Sequence, residues 1–124
     1  MKEALAELSN VMSLEQQKPA RFLAAWKRGV KLAGEEYFNV VGSVEGATDK
    51  EQLRPNYKMI EHSLFKISSG QATFLAALYS FFNGEEGQLF LEQLGKPNIS
   101  DLAAYLDRER AEIISELFLT YSGW

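Results

Sequence analysis

The sequence contains no cysteine, one histidine, three prolines, and no apolar run longer than the nine residues from Phe74 to Phe82, which themselves include Ser80. Each shortage removes a class of function. Without cysteine there is no thiolate nucleophile, redox relay, zinc finger or iron–sulfur cluster, although the lack does not choose between compartments. His62 alone cannot build a site that needs two imidazoles, and this excludes the carboxylate-bridged di-metal bundles that take Glu-x-x-His pairs from two helices. The apolar run is far short of the roughly 20 residues that span a bilayer. At the N-terminus, Met1-Lys2-Glu3-Ala4-Leu5-Ala6-Glu7 has acids where a signal peptide carries its apolar stretch. The chain therefore reads as cytoplasmic, with no membrane partner and no expected cofactor.

What the chain does have is apolar bulk. Its 124 residues are 46% hydrophobic and include two Trp, five Tyr and eight Phe, which is too apolar for disorder and ample for one core. We expect residues 1–124 to form a single all-α domain, a compact bundle of five or six helices. Apolar residues recur at three-to-four spacing almost throughout, and strand-type alternation is hard to find.

Leu5, Leu8, Val11 and Met12 mark a first helix over about 2–12. Pro19 suits the first turn of a second, because its missing N–H has no intrahelical partner there. Phe22, Trp26, Val30, Ala33, Tyr37, Val40, Val41 and Val44 then keep one face apolar as far as Gly42 to Gly46. Gly29 lies on that face, which suggests close approach of a neighbouring helix, and a bend at Gly34 is the alternative to a straight rod. Thr48-Asp49-Lys50-Glu51 has capping-box form and starts a short turn before Pro55. Tyr57, Ile60, Leu64 and Ile67 mark a third helix, and Ser68-Ser69-Gly70-Gln71 a break. The segment near 70–83, with Phe74, Leu75, Leu78, Tyr79, Phe81 and Phe82, is apolar on nearly every side and predicts a mostly buried helix. Asn83-Gly84 ends it and opens a short helix that runs to Gly95. Ser100 then caps a final helix carrying Leu102, Tyr105, Leu106, Ile113, Leu117, Phe118 and Tyr121.

Residues 99–117 partly resemble a helix-turn-helix, with Leu102-Ala103 and Leu106 at its early core positions and Ile113 at a later one. Asp107 replaces the turn glycine, Arg108 stands where a buried residue belongs, and Glu109, Glu112 and Glu116 would face phosphate. One uninterrupted helix is the expectation, and nucleic acid an improbable partner.

Catalytic sets are thin. Ser63, Ser68 and Ser69 lie near His62, but no Gly-x-Ser-x-Gly elbow occurs and the serines read as helix caps. Gly29 to Gly34 lacks the Gly-Lys-Ser/Thr ending of a phosphate loop, and Glu85-Glu86 reads as a helix start. His62 falls off the apolar stripe, as a surface histidine does.

Charge placement is more informative than the net −4. Lys18, Arg21, Lys27, Arg28 and Lys31 occur between residues 16 and 34 without an acid, on the side away from Phe22 and Trp26. Residues 63–124 carry 4 basic and 8 acidic residues. The stripe is either a solvated face or a docking surface for an acidic partner or a phosphate-bearing ligand. Tyr121 and Trp124 are partner-binding candidates if they protrude, although folding back through Gly123 onto the core is the expected course. Trp26, Phe74, Tyr79, Phe81, Phe82 and Phe90 are candidates to line a pocket for a small molecule. The expected function is a non-catalytic interaction or assembly protein that forms a homo-oligomer or docks a protein partner. A binder of a small apolar or anionic molecule is the alternative, and a DNA-associated regulator the third.

Overall fold

A computed structural model describes the backbone of residues 2–124 and the side chains from Glu15 onward. The protein is all-α, with six helices and one small antiparallel sheet. Helix α1 spans Lys2–Ala33, α2 Tyr57–Ser63, α3 Ser69–Phe82, α4 Gly84–Gln93, α5 Ile99–Tyr105 and α6 Arg108–Thr120. Strands β1, Phe38–Val40, and β2, Leu53–Pro55, pair as Phe38 with Pro55, Asn39 with Arg54 and Val40 with Leu53.

The two helices expected before residue 46 form one helix that ends earlier. Pro19 sits inside α1, not in its first turn. Pro19 removes the donor that would pair with the Glu15 carbonyl, and the helix carries it in a stretch, residues 15–20, where every residue is exposed or half-buried. The stripe Leu5, Leu8, Val11 and Met12 lies outside the described side chains. At the other end, Gly34 takes φ +119°, a conformation that L side chains rarely adopt, and its N–H closes the last turn on Val30 O at 2.9 Å. The chain turns there, passes through a 3-10 turn over Glu35–Tyr37 and enters β1, so the apolar residues from Tyr37 to Val44 belong to that turn, a strand and a loop.

The sheet is tied to α1 by Trp26, whose indole N–H donates to Leu53 O at 2.9 Å inside the core. Between the strands, Asp49 caps a single 3-10 turn over Lys50–Gln52, with Gln52 reaching back to the Asp49 N–H at 3.0 Å. Asn56 caps α2 by accepting from Met59 N–H at 3.1 Å, and α2 stops at Ser63, short of Ile67.

Helix α3 is the buried centre of the fold. Residues 72–79 are all buried, and the helix touches α1, α4, α5, α6 and β2. Ser68 and Gln71 form its capping box. At its far end Asn83 both ends α3 and caps α4, accepting from Glu86 N–H at 3.0 Å. Gly29 lets α1 approach closely: an added Cβ would lie 3.0 Å from Leu78 Cδ2 of α3 and 3.5 Å from Ile113 of α6.

The expected final helix is broken. Asp107 adopts extended backbone and caps α6, accepting from Arg110 N–H at 2.9 Å, while Leu106 leaves α5 and packs on the core. A local cap outcompetes the continuous periodicity from Leu102 to Ile113.

Candidate functional site

The basic stripe is largely consumed inside the molecule. Lys18 pairs with Glu15 at 3.1 Å, and Arg21 with Glu116 of α6 at 2.7 Å. Lys27 donates to Glu45 O at 3.1 Å. Lys31 meets Glu35 at 2.7 Å and Glu45 at 2.5 Å, and these two hydrogen-bonded carboxylates hold its ammonium above the ordinary lysine range. Of the five, Lys27 and Arg28 make no ion pair among the described residues, since Lys27 reaches a main-chain carbonyl and not a carboxylate. Lys27, Arg28 and Lys31 do share a cleft of about 420 Å³, but Glu45 and Glu109 line it too, so little net positive charge faces outward.

Of the candidate pocket aromatics, Phe81 borders a groove among α3, α4, α5 and α6, and the others pack into or against the core. Trp26, Phe74, Tyr79 and Phe90 are buried in the core and Phe82 packs against it. Tyr79 meets Phe90 at 5.1 Å and Phe82 at 5.6 Å between ring centroids, in edge-to-face arrangements, while Trp26 packs with Phe38 in the same core cluster. The Tyr79 hydroxyl donates to Glu86, and burial followed by this bond raises Tyr79 well above the ordinary tyrosine range.

Trp124 folds back. Gly123 takes φ +94°, and the indole lies edge-on to Trp26 at 4.9 Å and to Phe82 at 5.2 Å. Lys50 covers it from outside, with its ammonium 5.1 Å from the Trp124 ring and donating to Gly123 O at 2.7 Å. Trp124 Nε1 is buried without a hydrogen-bond partner.

His62 is exposed, with Nε2 2.9 Å from Lys66 Nζ. No group of three His, Cys, Asp or Glu among the described residues can hold a metal ion, and no helix among them is long and apolar enough to cross a membrane. Helices α5 and α6 occupy the stretch that partly resembles a helix-turn-helix, but α5 packs on α3 and α6 on α1. Glu109 and Glu112 are exposed on α6, and carboxylates there oppose the approach of a phosphate backbone.

The feature best suited to binding is a groove of about 480 Å³ among α3, α4, α5 and α6. Ala77 and Phe81 of α3, Leu91 of α4, Leu102 of α5 and Ile114 of α6 line it, and none of its thirteen lining residues is charged. Ile99 is 81% exposed and Phe118 is 73% exposed, both beside the cavity, with Tyr121 also lining it. Leu119, next to Phe118, is 68% exposed. Clustered aromatic and aliphatic side chains left in water around an apolar cavity form the kind of patch that marks an interaction surface.

Of the groove residues, the sequence singles out Tyr121 as a partner-binding candidate and Phe81 as a pocket aromatic, and it places Phe118 only on the apolar stripe of a helix. A signal for Phe118 was present. Leu117-Phe118-Leu119 places three large apolar side chains across about 200° of a helix, more than one buried face accommodates. Leu117 takes the core, and Phe118 and Leu119 are left outside.

Compared with protein-family models, with curated proteins and with solved structures, the chain finds no match.

Proposed function

We propose that the chain is a non-catalytic interaction protein that takes a helix of a protein partner into the groove among α3, α4, α5 and α6. The observation that carries this reading is the pairing of the uncharged cavity with Ile99 and Phe118, large apolar residues held in water beside it. A helix presenting apolar residues at i, i+3, i+4 and i+7 would bury both. No nucleophile with an adjacent base lies among the lining residues, which favours binding over catalysis.

The test is a titration of the isotope-labelled full chain with an amphipathic helical peptide bearing a leucine stripe and glutamine flanks. Shift changes centred on Ile99, Ile114 and Phe118 are expected. Changes centred on Lys27 to Lys31, or none, would remove the groove as the docking face.

A second reading, a small apolar molecule in the same groove, is favoured by the cavity's volume, which falls within the range of ligand sites. Native mass spectrometry separates the two: a bound molecule adds mass to the purified chain, and a vacant docking groove adds none.

A further inference from the structure

We propose that the helix received by this groove carries lysine or arginine along the flank of its apolar stripe that faces α4, an inference that rests on the reading of the groove as a docking site. Residues 68–121, which contain every lining side chain, hold eight acids against three bases. The bases are already engaged. Arg108 pairs with Glu112 at 3.0 Å, Arg110 pairs with Asp107, and Lys96 lies 4.3 Å from the Tyr105 ring centroid.

Several acids are engaged as well. Glu116 is held by Arg21, Glu86 accepts from Tyr79, and Asp101 accepts from Asn98 N–H at 3.1 Å. Glu109 faces the separate cleft of Lys27 and Lys31. Glu85 and Glu92 remain, both exposed and neither in an ion pair among the described residues. They stand on α4 directly after the lining residues Gly84 and Leu91, one toward each end of that wall. The groove thus joins an uncharged floor to a rim with two unneutralised carboxylates.

Rim charges of this kind steer a partner and select its sign more than they hold it. A basic amphipathic helix satisfies floor and rim together. A second copy of this chain would bring the same two carboxylates to the contact, and an acidic helix would add to the repulsion.

The experiment compares three peptides of about 15 residues, a length at which isolated helices begin to form. They share one leucine stripe and differ only in lysine, glutamine or glutamate at the flanking positions. Binding to the full chain at low salt should be about tenfold tighter for the lysine peptide than for the glutamate peptide, with the gap closing toward parity at about 0.5 M salt, as screened rim pairs require. The Glu85→Gln, Glu92→Gln double variant should remove the gap while leaving the glutamine peptide's affinity in place.

Equal binding of all three peptides at Phe118, or a gap that survives in the double variant, overturns this inference and leaves the docking reading standing. No binding by any of them overturns the docking reading and this inference with it. A concentration-dependent dimer abolished by Phe118→Asp assigns the groove to a second copy and overturns the basic partner.

Discussion

Gly87 of α4 crosses α3 so closely over Ser80 that a Cβ at position 87 would sit 2.2 Å from Ser80 Oγ and 2.5 Å from Ser80 Cα. The second distance involves backbone, which cannot rotate away. This contact sets the spacing of the α3–α4 hairpin and, with it, one wall of the groove, because Ser80, Gly84 and Gln88 all line the cavity.

Gly87→Ala therefore tests the hairpin. Alanine would gain about 1 kcal/mol in helix propensity, but overpacking costs about 1–3 kcal/mol or more where backbone must move. A lower urea midpoint at unchanged m-value is expected. A more stable variant would show that the helices are not in contact there.

The two tryptophans should differ. Trp26→Phe removes the bond to Leu53 O, leaves a buried carbonyl unpaired and opens a small void, for a cost of about 2–4 kcal/mol. Trp124→Phe removes an indole N–H that has no partner and keeps most of the ring contact, so a loss below about 1 kcal/mol is expected. Equal losses in denaturant unfolding would contradict the assignment of their environments.

Tyr79 predicts a decline in stability at alkaline pH. Its folded pKa is raised, so the folded chain keeps a proton that the unfolded chain releases near pH 10. The contribution is complete below the unfolded value and is lost as pH rises through the folded one. Tyr57, raised by its 2.7 Å bond to Glu61, adds to the same slope. Stability measured between about pH 9 and 12 should fall less steeply in Tyr79→Phe than in the natural chain, and an unchanged slope would contradict the buried hydroxyl.

Asp107 should control the start of α6. The Arg110 backbone N–H holds its carboxyl below the ordinary aspartate range, so the cap is complete above the unfolded pKa and weakens as pH falls through the lower folded value. In Asp107→Ala, hydrogen exchange at the Arg110 amide should accelerate while exchange at buried Leu78 stays slow. Unchanged exchange at Arg110 would mean that the cap does not protect this turn.

These features differ in how readable they were. The buried helix α3 and its Ser68–Gln71 box were legible because apolar residues fill its whole circumference and the cap is local. Gly29 was legible for the same reason, as a small residue on a large apolar face. The sheet was not, since β1 and β2 are three residues each and their pairing is set by Trp26 and the turn at Asp49, not by alternation. The end of α1 depended on whether Gly34 or the apolar run beyond it prevailed, and the positive φ at Gly34 decided it. The break at Asp107 was hidden because α5 and α6 keep nearly one helical phase across it. The basic stripe was correct as a pattern, but Arg21 and Lys31 find their acids in α6 and in the 35–45 segment, contacts that only the tertiary fold creates. For the groove, the surplus of apolar residues on α6 was readable, and its alignment with Ile99 was not.

The most direct test of the docking account is the affinity of a leucine-striped, glutamine-flanked helical peptide for the natural chain and for Phe118→Asp. Phe118 is 73% exposed, so the substitution should leave folding stability within about 0.5 kcal/mol. Loss of a central aromatic anchor should weaken binding by roughly thirtyfold or more. Equal affinity of the two proteins for the peptide, with the variant folded, would contradict the assignment of this groove as the binding face.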